Sequence, residues 1–164
     1  MNDHAVETFT PLFHEIFTKV NNAKDKPKKV AVLKHYRSPA LEYFLMAAFN
    51  PKITWLLPEG IVPYMPNEAP DGTEHTRLSY EGMKLFHYVQ KEGDAAAGYP
   101  LVGNPDINNP KREMMFIQLL EGLSAGEAEC LCLAKDQCLN KKYKGLNANV
   151  VQEAFGWNKN FVAV

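Results

Sequence analysis

The chain has 164 residues, a formal net charge of −1 and a hydrophobic fraction of 46%, with 2 Trp, 7 Tyr and 9 Phe. That is enough apolar material for one domain with its own core, and it excludes wholesale disorder and a need for structural metal or disulfide staples. No apolar run approaches the roughly 18 residues that cross a bilayer, MNDHAVETFT lacks the form of a signal peptide, and 3 clustered cysteines make no disulfide framework, so the expected setting is a cytoplasm.

Taken in chain order, Phe9, Leu12, Phe13, Ile16, Phe17 and Val20 follow the i, i+3, i+4, i+7 spacing of an amphipathic helix over 5–20. NNAKDKPKK is a polar connector that starts a second helix, in which Val30, Leu33 and Tyr36 face one way and the lysines the other. In SPALEYFLMAAFN, Ser38 is an N-cap and Pro39 the first helical residue of an almost wholly apolar helix, expected at the centre of the core. Residues 51–75 hold Pro51, Pro58, Pro63, Pro66 and Pro70 and read as an extended excursion, too proline-rich for a helix. Leu78, Met83, Phe86 and Val89 restore helical spacing over 76–92, and a second loop leads to Asn109 and Pro110, which open the helix PKREMMFIQLLEGL. Ser124 and Glu127 form a capping box for AGEAECLCLAKDQCLN, and NANVVQEAF ends in Gly156. The expected fold is mainly α: a single compact helical domain over 1–164, with six or seven helices, a long proline-rich loop and room for one short β-hairpin. Its parts are an N-terminal helix and connector (1–26), a surface loop (51–75), and a C-terminal helical hairpin with a last helix (109–157).

Cys130, Cys132 and Cys138 are the most conspicuous cluster, but two residues apart on a helix means pointing about 200° apart. No second C-x2-C or H-x3-H pair is present, so the thiols read as packing groups and neither a metal nor a cofactor is expected. No phosphate loop, nucleophile elbow, H-E-x-x-H or G-x-G-x-x-G occurs, and His4, His14, His35, His75 and His87 are scattered. No residue earns a catalytic label, and the protein is not expected to be an enzyme.

Charge is distributed unevenly. Between Lys19 and Lys52 there are eight basic residues against Asp25 and Glu42, whereas Glu59 to Asp94 holds seven acids against Arg77, Lys84 and Lys91. One basic side can meet a polyanion while the acidic side keeps it off, although such runs also serve as solvated faces. Lys28, Lys29, Lys34 and Arg37 form one candidate stripe. Lys141, Lys142, Lys144 and Gly145, in the turn KKYKGL before the last helix, form a second cationic group that suits a backbone phosphate or simply complements a helix dipole.

The segment LLEGLSAGEAECLCLAKDQCLNKKYKGLNANVVQEAFGW resembles the close of the N-terminal helical DNA-binding domain of phage-type ATP-dependent DNA ligases. Leu123–Ala128 is similar to that family's small-residue turn, Lys142–Leu146 takes the place of its basic hook, and Val150, Val151 and Phe155 that of its final helix. The adenylation motif K-x-D-G is absent, so ligation is excluded, and the hook lacks its Asp-Leu-Arg form. The resemblance implies a free-standing accessory protein of a large tailed phage. It would contact the backbone of duplex DNA with weak sequence preference in phage or host DNA metabolism, with the hook contacts carried by Lys142, Lys144 and Gly145, in a host cytoplasm. An alternative is an adaptor or inhibitor that binds a host or phage protein through Trp55, Leu57, Ile61 and Tyr64 of the proline-rich loop.

Overall fold

A computed structural model describes residues 11–93 and 98–164, so residues 5–10 of the expected first helix, and His4, lie outside the described residues. Eight α-helices are described: α1 (Phe13–Asn22), α2 (Lys26–His35), α3 (Pro39–Phe49), α4 (Leu78–Glu81), α5 (Asn109–Gly122), α6 (Ala125–Lys135), α7 (Leu139–Lys142) and α8 (Ala148–Phe155). The only sheet among the described residues pairs β1 (Ile53–Trp55) with β2 (Val89–Lys91), antiparallel and with Thr54 opposite Gln90. The chain is thus mainly helical, as its periodicity implies, and forms one body around α3.

Helix α3 buries Leu41, Phe44, Leu45 and Ala47 completely. Ser38 accepts a hydrogen bond from the Leu41 amide at 3.2 Å and Pro39 starts the helix without an orphan N–H. Around it pack α4, the 3-10 turn Gly82–His87, α6 and α8, while α2 lies against α1 and α8. Phe44 stacks on Phe17 at 5.6 Å and meets Phe13 edge-on at 5.6 Å, which joins α1 to the centre.

Three elements differ from their sequence reading. The helix expected over 76–92 is a single α-turn, then a 3-10 turn, then β2. Here β1 satisfies the backbone from outside: the Leu56 amide donates to the Tyr88 carbonyl at 2.8 Å and Glu92 to Lys52 at 2.7 Å. The strand pair therefore has its second strand beyond the proline-rich loop. The helix expected through Asn140 breaks after Lys135, where Gln137 adopts φ 52° and the Cys138 amide donates to the Leu133 carbonyl at 2.9 Å. The Gln137 amide then reaches the carbonyls of Ala47, Asn50 and Ile53, closing the end of α3. At α5 the cap is Asn108, one residue before the expected Asn109.

The capping box at α6 is half formed. Ser124 Oγ accepts from the Glu127 amide at 3.2 Å, but the Glu127 carboxylate does not turn back to Ser124. It is fully buried and accepts from the Phe13 amide at 2.8 Å and the Leu78 amide at 2.9 Å, the first residues of α1 and α4. One carboxylate thus serves the positive ends of three helices. Burial raises its pKa, and the amides of Phe13 and Leu78 oppose that rise.

Removing this carboxylate strands two buried N–H groups. Glu127→Ala is expected to lower unfolding free energy in urea by about 2–5 kcal/mol, with Glu127→Gln intermediate because it keeps one acceptor. Since folding raises this pKa, the unfolded chain loses the proton first, and stability falls as pH climbs from the unfolded value to the folded one. Urea midpoints across the acid range should show that segment in the wild type and its loss in Glu127→Gln.

Candidate nucleic-acid interface

The turn KKYKGL is held from below. Tyr143 is buried, meets Phe17 edge-on at 5.7 Å and places its hydroxyl 3.5 Å from Cys130 Sγ, and Leu146 is fully buried. With Tyr143 and Leu146 inward, Lys142 and Lys144 are exposed. Burial pushes the Cys130 thiol up to about 12 and the Cys132 thiol up to about 11, so both stay protonated near neutrality. Among the described residues no cluster of three or more His, Cys, Asp or Glu could hold a metal ion.

The turn meets the α1–α2 junction, more than a hundred residues earlier. The Gly145 amide donates to Asn21 Oδ1 at 2.9 Å, and a Cβ on Gly145 would lie 2.8 Å from Lys29 Cε and 2.9 Å from its Nζ. Only a glycine lets the Lys29 stem pass this close. The Lys29 ammonium donates to the carbonyls of Val20 and Ala23 at the end of α1. Lys29 and Gly145 therefore join the two candidate segments, with their own polar groups engaged inside the protein.

The remaining candidates divide. Lys28 projects outward from the first turn of α2, 3.9 Å from Asp25, and Lys26 in the same turn is 3.7 Å from Glu153, all four side chains at least half exposed. Lys34 is exposed but sits about 120° around α2 from Lys28. Arg37 is held by Glu42 at 3.1 Å and by the Phe155 carbonyl and ring, where it complements the end of α8. Lys142 pairs with Glu129 at 2.5 Å. Lys34, Lys141 and Lys144 have no ion-pair partner among the described residues. Of the two cationic groups expected, Lys29 and Gly145 meet directly, with Lys28 and Lys144 next to them in sequence, while Lys34 lies elsewhere around α2, Arg37 is held against the end of α8 and Lys142 is paired with Glu129. Lys24 and Lys26 lie in the same polar stretch, KDKPKK, but Lys26 points about 200° around α2 from Lys28, toward Glu153.

Lys141 and Lys142 occupy the last turn of α7, where cations are favourable. Lys26 and Lys28 occupy the first turn of α2, where the Asp25 carboxylate caps the helix, accepting from the Lys28 amide at 3.0 Å and offsetting the two cations at that end.

The proline-rich loop folds back. Trp55 is buried with its indole N–H on the Ala47 carbonyl at 3.0 Å, which removes it from any surface, and Leu57 and Tyr64 are half-buried, whereas Ile61 is fully exposed.

Residues 16–141 match a family described as a family of unknown function, DUF6433. The chain belongs to it. No curated protein and no solved structure matches the chain. The DUF6433 segment includes α2 and the α1–α2 junction and ends before the turn that carries Lys144 and Gly145. Among the described residues of this DUF6433 protein no helix is long and apolar enough to cross a membrane.

Gly145→Ala is expected to expel Lys29 from the end of α1 and lower stability by about 1 kcal/mol, read from urea midpoints. Iodoacetamide at pH 8 should leave Cys130 and Cys132 unmodified in the native protein and alkylate both in urea, as read by peptide mass spectrometry.

Proposed function

We propose that the protein binds duplex DNA through its phosphate backbone, without catalysis and with weak sequence preference, at the junction of α1, α2 and the Gly145 turn. The observation that supports this reading is the approach of Lys29 to Gly145, which ties the lysine-rich α1–α2 connector (Lys24, Lys26, Lys28) to the turn that carries Lys144. These cations outnumber Asp25 and Glu153, the acids that pair with them. Pairs this exposed are weak and exchange readily for phosphate. Contacts made by these lysines to phosphates would position the duplex and leave its sequence unread. The ligase-domain resemblance of the turn supports the same reading, with Tyr143 and Leu146 as anchors that present Lys144. Phage or host DNA metabolism is the corresponding process.

Fluorescence titration of labelled intact and nicked duplexes at about 50 and 200 mM salt tests it: affinity should fall steeply with salt, by about 0.9 log units per phosphate contact for each tenfold rise. The triple variant Lys24→Ala, Lys28→Ala, Lys144→Ala should reduce that slope by about 2–3 units, whereas Lys34→Ala and Lys141→Ala should leave it nearly unchanged. Binding that is undetectable or insensitive to salt would sink the reading.

A further inference from the structure

On other elements, a groove of about 320 Å³ opens between the proline-rich loop and α5, lined by Leu57, Ile61, Val62, Phe116, Ile117 and Glu113 among others. We infer that this groove receives a short segment of a partner protein in which large apolar side chains are flanked by lysine or arginine. Its volume is at the low end for ligand sites and suits one or two side chains better than a whole cofactor. The loop wall is preformed. Lys135, with 1% of its side chain exposed, donates to the carbonyls of Pro58 at 2.6 Å and Gly60 at 3.1 Å while paired with Asp136 at 2.6 Å. Farther along, the Met65 amide donates to Glu121 at 2.9 Å. A wall fixed in this way loses little freedom when a ligand enters. Ile61, in the groove lining, nevertheless stands fully exposed. That is apolar surface which burial would stabilise.

Charge selects the occupant. Glu113 lines the groove without an ion-pair partner among the described residues, while Glu68 and Glu121 line a second hollow farther along the loop and α5. The one cation in the lining, Lys135, is neutralised by Asp136. A second copy docking through this same face would set carboxylates against their own equivalents, whereas a basic-flanked apolar segment meets both the groove and its rim.

The full-length protein, labelled with ¹⁵N, is titrated with acetylated peptides having a Leu-Leu centre between lysine pairs, the same centre between glutamate pairs, and a Ser-Ser centre between lysine pairs. The lysine–leucine peptide is expected to shift the amides of Leu57, Val62 and Ile117 and the Trp55 indole saturably, because Trp55 lies 6.5 Å from Phe116 in the groove wall. The other two peptides should bind at least about tenfold more weakly. Glu113→Lys, which leaves the loop anchors intact, should weaken the lysine–leucine peptide and strengthen the glutamate one. Equal binding of the lysine and glutamate peptides, or of the leucine and serine ones, would overturn the inference, as would no shift at millimolar peptide. Groove signals that move with protein concentration alone would assign the site to a second copy and overturn it as well.

Discussion

The carboxylate of Glu127 is the constraint around which the helices are arranged. It sits in the first turn of α6 and accepts the leading amides of α1 and α4, so three helix N-termini converge on one buried charge. An isolated carboxylate at such depth would be prohibitively desolvated, and the amides and helix dipoles offset that cost. The geometry leaves little freedom nearby. A Cβ on Gly126 would fall 2.6 Å from the His14 ring, and His14 in turn reaches Asp71 of the proline-rich loop at 3.3 Å. From this point α1 projects toward the cationic junction and α4 leads toward the 3-10 turn against α3.

The two candidate surfaces follow from where buried polar groups anchor the chain. Asn21 and Lys29 bind the Gly145 turn to the end of α1, joining two lysine-rich segments more than a hundred residues apart in sequence. Lys135 fixes the loop over α5, which makes a groove where an unanchored loop would collapse or drift. Basic and acidic character, already segregated along the chain, is thereby assigned to different elements. The proposed DNA contact and the proposed peptide contact share no residue.

Much of the fold was legible because its causes are local. Ser38, Ser124 and Asn147 each cap the amide three residues on, and Gly156 takes φ 68° to end α8, interactions that need only their own neighbours. The apolar body of α3 announced its burial in the same way. The 76–92 segment was misread because its apolar spacing fits a helix, while Ile53–Trp55, far upstream, offers its backbone a strand partner. The site was half legible: lysine runs are visible in a sequence, but whether an ammonium faces water, a carbonyl or a carboxylate is not. Lys29 and Lys142 are the same letter and differ only in what folding placed beside them, carbonyls for one and a carboxylate for the other.

Periodicity, capping and charge act over a few residues, so the helical class, most helix starts, the burial of Cys130 and the separation of basic from acidic stretches were readable from the chain alone. Tertiary structure alone decided that Glu127 abandons its own capping box, that Gln137 breaks a helix to close another, and that Lys29 meets Gly145. Each of these depends on a partner tens of residues away or more, and a side chain's choice among hydrogen-bond partners is made only when the fold brings them within about 3 Å.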